Sequence, residues 1–330
     1  MHFGFDEDQI AVRDAVASVL DKRCDVAALQ QAWRAGSAAP LIPLWEELAG
    51  IGVTGLLAPE EAGGSGLDWV TMALVLAETG RVALPLPVLE TAAVTVPVLV
   101  AAGDPSGIVG SVVEGSVVVS VVSEGSGMAP AAGVAGAFVA DRSGEVFLYD
   151  RSEVALEPVG SVDRTRDLAR VTPTGPGSPL GTLEALRVKE LCALGAAAQL
   201  VGLGRELVRM TVEYVKDRRQ FGVPVGSFQA VKHHLADAHL AVEFAAPPVW
   251  AAAHQTTSGG PEWSRSVSMA KAMASDAANL AARVALQCHG AMGYTDDYHL
   301  HFWMKRVWCL AAAYGSSAEH TAKVATALGI

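Results

Sequence analysis

The sequence predicts a mostly α-helical chain with a small β domain set between two helical regions. Three observations carry this expectation: apolar residues at helical spacing through 1–105, short Val-rich and aromatic-rich runs through 106–172, and long helical patterns from 182 onward. Three domains are therefore expected: a helical one at 1–105, a reduced antiparallel β domain with its linker at 106–181, and a four-helix bundle within 182–330.

Within 1–105, Asp6 and Gln9 have the spacing of a capping box, and Val12, Val16, Val19 and Leu20 form one apolar stripe. "PLWEELAGIG" and "DWVTMALVLAETGR" read as two more helices. The loop joining them, "LLAPEEAGGSGL", lacks GxGxxG and reads as a surface turn. In the middle region, "GSVVVSVV", "AGAFVAD", "EVFLYD" and "DLARVT" read as strands separated by Gly, Ser and Asp-Arg turns. "TPTGPGSPLG" at 172–181 is rich in proline and glycine and reads as a linker. Beyond it, 183–217 reads as one long helix whose small residues permit close packing. Two more are expected over 228–246 and 262–288, with a bend at Pro247-Pro248 and a polar turn at "TTSGGPE". Short helices near 297–312 and 317–327 end the chain.

Bulk properties exclude several functions. The chain has 330 residues, 51% hydrophobic and 18% charged, enough to bury a large core. A net charge of −11 argues against a broad nucleic-acid surface. Acidic residues in "MHFGFDEDQIAVRDAV" replace the basic and apolar regions of a secretory leader, and no membrane span is expected, since the low-charge stretch 91–103 is broken by Pro97. Cys24, Cys192, Cys288 and Cys309 are scattered without a CxxC pair, which suits reduced thiols in core positions and a cytoplasmic location.

Metal and serine chemistry find no support. His233 and His234 are adjacent and point about 100° apart on a helix, and His299 and His301 also lie on different faces. There is no HExxH, no zinc-spaced Cys/His quartet and no GxSxG. Two stretches stand out instead. "DRRQFGVPVGSFQ" places Arg218 and Arg219 at a helix end, where the helix dipole favours cations. "QCHGAMGYTDDYHLHFWMKR" follows a long helix with a glycine turn that lets a backbone approach a flat or phosphorylated ligand. Singly, each reads as a helix end or a helix–helix turn. In this order and separation they read as ligand contacts.

At these residues the sequence resembles the acyl-CoA dehydrogenase family. The family pattern Tyr-x-x-x-Arg-x-x-Phe-Gly-x-Pro-x-x-x-Phe-Gln is matched by Tyr214, Arg218, Phe221, Gly222, Pro224, Phe228 and Gln229. The pattern Gln-x-x-Gly-Gly-x-Gly-Tyr is matched by Gln287, Gly290, Gly293 and Tyr294, with Ala291 in place of the second glycine. "APEEAGGSGLD" and "LAETGRVALPLP" resemble the family's N-terminal helical domain, so the resemblance spans nearly the whole chain. It implies α,β-dehydrogenation of an acyl-CoA thioester with FAD as hydride acceptor and electron-transfer flavoprotein as electron acceptor. It also implies that Arg218, Gln220, Phe221, Phe228, Gln229, Gln287, His289, Gly290 and Gly293 reach the FAD of a neighbouring subunit. An arginine fork suits pyrophosphate.

Departures from the family pattern are informative. One family position for the carboxylate base holds Tyr314, with Glu319 five residues beyond. The other holds Cys192, next to Ala193, with Glu190 two residues earlier on a different helix face. Of the flavin-facing β segments, only "VSEGSGMAP" has a weak counterpart, and the region is short. The resemblance therefore implies the shorter, base-lacking subunit of an α2β2 enzyme of the bacterial sterol side-chain type, paired with a homologous catalytic subunit. Two alternatives stay open: a self-sufficient homotetramer using a relocated carboxylate such as Glu190, and a non-enzymatic acyl-CoA-binding or scaffold protein of the same fold.

Overall fold

The computed structural model describes residues 4–123, 125–258 and 262–330. Glu124 of "VSEGSGMAP" and Gly259–Pro261 of the expected polar turn lie outside them. The chain forms two compact units, one of 1–76 with 84–195 and one of 77–83 with 196–330.

The first unit begins with α1 (Glu7–Arg23), α2 (Val26–Ala35) and α3 (Ile42–Gly50). The Asp6–Gln9 capping box is formed, with Gln9 N–H donating to Asp6 Oδ1 at 2.8 Å and Asp6 N–H to Gln9 Oε1 at 3.1 Å. Val16 and Leu20 are buried, and Val12 and Val19 are half-buried beside them. Trp45 is buried on α3 and donates its indole N–H to the Gly115 carbonyl at 2.8 Å, which removes the cost of burying that donor. Then come α4 (Trp69–Arg81), a π-helical stretch Leu89–Thr95, α5 (Val96–Ala101) and α6 (Val109–Val113). Every residue of the π stretch is buried.

Two sheets follow. One has the order β1 (Val119–Val121), β3 (Ala137–Arg142), β4 (Glu145–Asp150), β7 (Ser178–Gly181); the other has β2 (Met128–Ala129), β6 (Ala169–Pro173), β5 (Val154–Pro158). β3 and β4 are joined by Ser143-Gly144, both at positive φ, the two-residue turn whose twist matches a hairpin. Two expectations are corrected. β1 and β3 pair in parallel, because the chain leaves the first sheet from Val122 to Gly136 before returning. The stretch expected as a linker at 172–181 also contains β7, which pairs with β4. Pro179 is tolerated there because β7 is an edge strand and has one free hydrogen-bonding side.

The second unit is helical apart from one small hairpin. α7 (Leu183–Asp217) enters it from Ala196, followed by α8 (Gln229–Ser258), α9 (Trp263–His289), α10 (Leu300–Ala312) and α11 (Ser317–Leu328). α8 continues through Pro247-Pro248 as one helix. The two prolines leave the carbonyls of Glu243 and Phe244 without helical partners, but neither residue is buried, so water can take those acceptors. The segment Val188–Asp217 is long and apolar enough to cross a membrane, yet 89% of its most apolar window is buried within the fold, as in a core helix.

Small residues set the packing distance. A methyl group on Gly202 would collide with the Ala77 carbonyl, and one on Gly80 with the Gln199 carbonyl. One on Gly204 would stand 2.8 Å from Val242 Cγ2, with the Ala278 backbone behind it. Gly202→Ala should therefore destabilise the protein by ~1–3 kcal/mol through overpacking, against the ~0.5–1 kcal/mol gain that alanine brings to an open helix site. A melting temperature equal to or above that of the parent would show that the segments separate freely.

Candidate functional site

α7 ends at Asp217, and Arg218 closes its last turn by donating its backbone N–H to the Tyr214 carbonyl at 2.9 Å. The chain then forms the hairpin of β8 (Arg219–Gln220) and β9 (Val223–Pro224) rather than a plain helix end. Its turn is Phe221-Gly222, with φ of 53° and 82°. Glycine adopts this freely; phenylalanine does so at a cost of about 1–2 kcal/mol. The Val225 N–H donates to the Arg218 carbonyl at 2.7 Å, and Gly226 lies against Val215, so the hairpin folds back onto the end of α7. Arg218, Arg219 and Gln220 are exposed, and Phe221 is 92% exposed, meeting only the edge of Phe228 at 6.3 Å. A ring held in a strained turn and turned outward is available to something beyond its own core. Gln229 opens α8 and pairs its side-chain amide with His233 Nε2 at 2.8 Å.

At the end of α9, Gln287 is exposed and His289 is buried. Gly290 has φ 59° and ψ −137°, a conformation that side chains disfavour, and nothing lies within 4 Å of where its Cβ would be. Gly293 differs: its missing side chain leaves room for Leu286 and His289. The structure brings the two sequence motifs together. The Tyr214 and His289 rings stack at 4.1 Å and 22°, and the Tyr214 hydroxyl donates to the His289 carbonyl at 3.4 Å. Beside this contact is a cleft of about 550 Å³, lined among others by Arg209, Tyr214, Arg218, Met292, Tyr298 and His299.

His289 Nδ1 lies 2.8 Å from the Ala285 carbonyl and must donate its proton there. Burial lowers the His289 pKa, only partly opposed by that bond, so the ring is neutral near pH 7. Its Nε2 is then a bare acceptor, and it is buried with no hydrogen-bond partner among the described residues. Tyr298 and His299 were absent from the expected set. Both occur within the quoted glycine-turn stretch, but irregular backbone offers no periodicity to place them.

The two positions at which the resemblance expects a base, 192 and 314, hold a cysteine and a tyrosine. Tyr314 (φ 59°) and Gly315 (φ 99°) form a left-handed turn after α10. Lys271, fully buried on α9, donates to Ser275 Oγ at 3.1 Å, the Ala311 carbonyl at 3.2 Å and the Gly315 carbonyl at 3.0 Å. His320 Nε2 donates to the Tyr314 carbonyl at 2.9 Å, and its Nδ1 accepts from Ser268 Oγ at 3.2 Å. The turn is thus held from both sides. Glu319 is committed to the α11 capping box, where it accepts from Ser316 N–H at 2.6 Å and Ser316 Oγ at 2.8 Å, and these bonds lower its pKa. Glu190 is half-buried near the start of α7. Cys192 is buried, and its thiol pKa is pushed up by that burial and by the nearby Glu90. Glu90 is one of three buried carboxylates among the described residues; Asp163 caps a turn and Glu206 pairs with Arg209. Sequence reading passed over Glu90, though it is the single charge between Val82 and Gly103. No group of His, Cys, Asp and Glu among the described residues could hold a metal ion.

Domain profiles decide the family. "Acyl-CoA dehydrogenase, N-terminal domain" matches residues 6–106 and "Acyl-CoA dehydrogenase, C-terminal domain" matches 191–329. Acyl-CoA dehydrogenase IpdE2 of Mycobacterium tuberculosis is 31% identical over 303 residues, covering 91% of both chains. This chain belongs to the acyl-CoA dehydrogenase family, a family of FAD-dependent oxidoreductases. Its fold is shared with a chain of the ChsE4-ChsE5 complex from Mycobacterium tuberculosis, at a TM-score of 0.90 and 23% identity over 100% of this chain and 99% of that one. A chain of the Tcur3481-Tcur3483 steroid ACAD G363A variant gives a TM-score of 0.89 and 23% identity over 98% of each chain.

Burial lowers the Lys271 pKa to about 8, against 10.5 for a free lysine, despite the opposing pull of Glu319 and Asp276. The folded state therefore releases the proton before the unfolded chain does. This group's contribution to stability is complete above pH 10.5 and is lost as pH falls through about 8. The stability difference between the parent and Lys271→Met should change over pH 8 to 10.5, rising in favour of the parent. Denaturant unfolding across that range checks it, and a constant difference would refute the assignment.

Proposed function

We propose that this chain is one subunit of an FAD-dependent acyl-CoA dehydrogenase, contributing flavin-holding residues to a site whose carboxylate base belongs to a homologous partner. The observation that carries this reading is the stacking of Tyr214, ahead of the Arg218 hairpin, on His289 of the Gln287–Gly290 turn, beside a cleft lined by Arg218 and Met292, while both base positions hold other residues.

The residues present fit FAD. Arg218 and Arg219 offer exposed guanidinium groups to a pyrophosphate. Gly290 leaves its ligand side open, and the bare His289 Nε2 calls for a hydrogen-bond donor such as a ribose or adenine group supplies. Gln220, Phe221, Phe228, Gln229, Gln287 and Gly293 complete the proposed set. When bound, FAD supplies the acceptor for the hydride leaving the substrate's β-carbon. This chain's own residues bind and orient; Phe221 and Phe228 exclude water, and the turn at Tyr314 places no base. The proton from the α-carbon goes to the partner's carboxylate, an α2β2 assembly follows, and electron-transfer flavoprotein is the proposed electron acceptor. The naming of a steroid ACAD among the fold neighbours supports a bulky steroid-type acyl-CoA. A cytoplasmic location is part of the same proposal.

Purification of the chain alone and together with a longer member of the family tests this reading by flavin absorbance and by reduction with acyl-CoA. Little flavin and no turnover are expected alone, with full flavin and activity in the complex. Arg218→Ala should lower flavin occupancy without dissociating the complex. Full flavin and activity from the chain alone would overturn the proposal. They would favour the self-sufficient reading, for which buried Glu90 beside Cys192 speaks. In that case Glu90→Gln and Glu190→Gln would identify the base by loss of activity.

A further inference from the structure

Five rings follow one another through the second unit. Tyr214 on α7 stacks on His289 of α9, and Tyr298 lies 6.0 Å from Tyr214 and 5.3 Å from His289. His299 is 4.5 Å from Tyr298, and Trp303 on α10 is 6.0 Å from His299. Trp303 is itself anchored, donating its indole N–H to the Arg81 carbonyl at 2.7 Å. Tyr214, His289 and Tyr298 form a closed triangle: Tyr214 and His289 are stacked, and Tyr298 meets Tyr214 edge-on and His289 at a tilt of 45°. Two of its corners, Tyr214 and His289, lie within the two family patterns; Tyr298 lies beyond the second, which ends at Tyr294.

We propose that Tyr298 is a positioning residue: its ring props Tyr214 against His289 and so fixes the angle between the helix ends that carry Arg218 and Gly290. The geometric part stands by itself, and its consequence for flavin rests on the function proposed above. Without Tyr298, the two ends share one ring stack and one hydrogen bond, and that bond is long at 3.4 Å. Tyr298 also lines the cleft beside Arg218, so its removal would open His289 to water.

This role has a titration signature. Burial lowers the pKa of both His289 and His299 below 6.5; the nearby His299 lowers that of His289 further, while Glu206 partly opposes the shift of His299. The charged groups around them are Arg209, Glu213 and Asp217 of α7 and Arg218 just past its end, which line the cleft, with Glu206 acting on His299 and Asp296 and Asp297 preceding Tyr298 in the chain. Tyr298 itself is kept protonated, its pKa raised by burial. Because both histidines titrate lower in the folded state, their contribution to stability is present above pH 6.5 and is lost as pH falls below it. Flavin retention should weaken over the same acid range.

The test uses Tyr298→Ala, Tyr298→Leu and Tyr298→Phe in the full chain, alone and with its partner. NMR of labelled histidine follows the His289 titration, and absorbance follows flavin dissociation from the complex. Tyr298→Ala and Tyr298→Leu should move the His289 pKa up toward 6.5 and weaken flavin binding at least tenfold, while Tyr298→Phe, which keeps the ring, should restore both. Leu retains apolar bulk should Ala fail to fold. An unshifted His289 titration in the ring-less variants would overturn the propping contact. A shifted titration with unchanged flavin affinity would overturn the positioning role. If the parent complex binds no flavin, the proposed function falls, and the histidine titration still decides the contact.

Discussion

The end of α7 depends on how closely its neighbours can approach. Gly202 and Gly80 leave no room for a methyl group between the segments they join, and Gly204 brings α7 against α8 and α9. Protein interiors are packed near crystal density, so such approaches are discrete and do not relax gradually. With α7 and α9 held at that distance, Tyr214 and His289 meet at stacking separation. Two stretches of chain 75 residues apart then share one cleft.

The electrostatics of this region follow from the same packing. A neutral His289 with its proton committed to Ala285 offers a bare nitrogen, and a buried acceptor of this kind is costly unless something donates to it. Around it, arginine side chains remain in solvent. Rings and methionines thus line the cleft together with two arginines, Arg209 and Arg218, and two carboxylates, Glu213 and Asp217.

The Tyr314 turn has the opposite character. The positive side chain of Lys271 and the imidazole of His320 use their donors on the Ala311, Tyr314 and Gly315 carbonyls, and Glu319 accepts both cap hydrogen bonds of Ser316 on Oε2. Lys271 and His320 thus hold the backbone of the turn from the buried side, and Glu319 holds that of the α11 cap at the surface. A segment so occupied can be a rigid wall, and it offers no carboxylate free to take a proton from carbon.

Much of the fold was legible in the sequence because helix periodicity, caps and turns are local. The Asp6 cap, the 183–217 helix and the strands "AGAFVAD" and "EVFLYD" are all set by neighbours within a few residues. The local signals failed where long-range partners outweighed them: Pro179 joined an edge strand, and Pro247-Pro248 stayed helical in a helix packed on α9. By itself, the sequence determined the order of elements, the family-type motifs and the presence of Cys192 and Tyr314 where the resemblance expects a base. Tertiary structure alone decided that Tyr298 meets both motifs, that His289 Nε2 is left bare, and that Lys271 grips the Tyr314 turn. Those facts depend on distances between residues far apart in the chain, which close packing sets and no local pattern encodes.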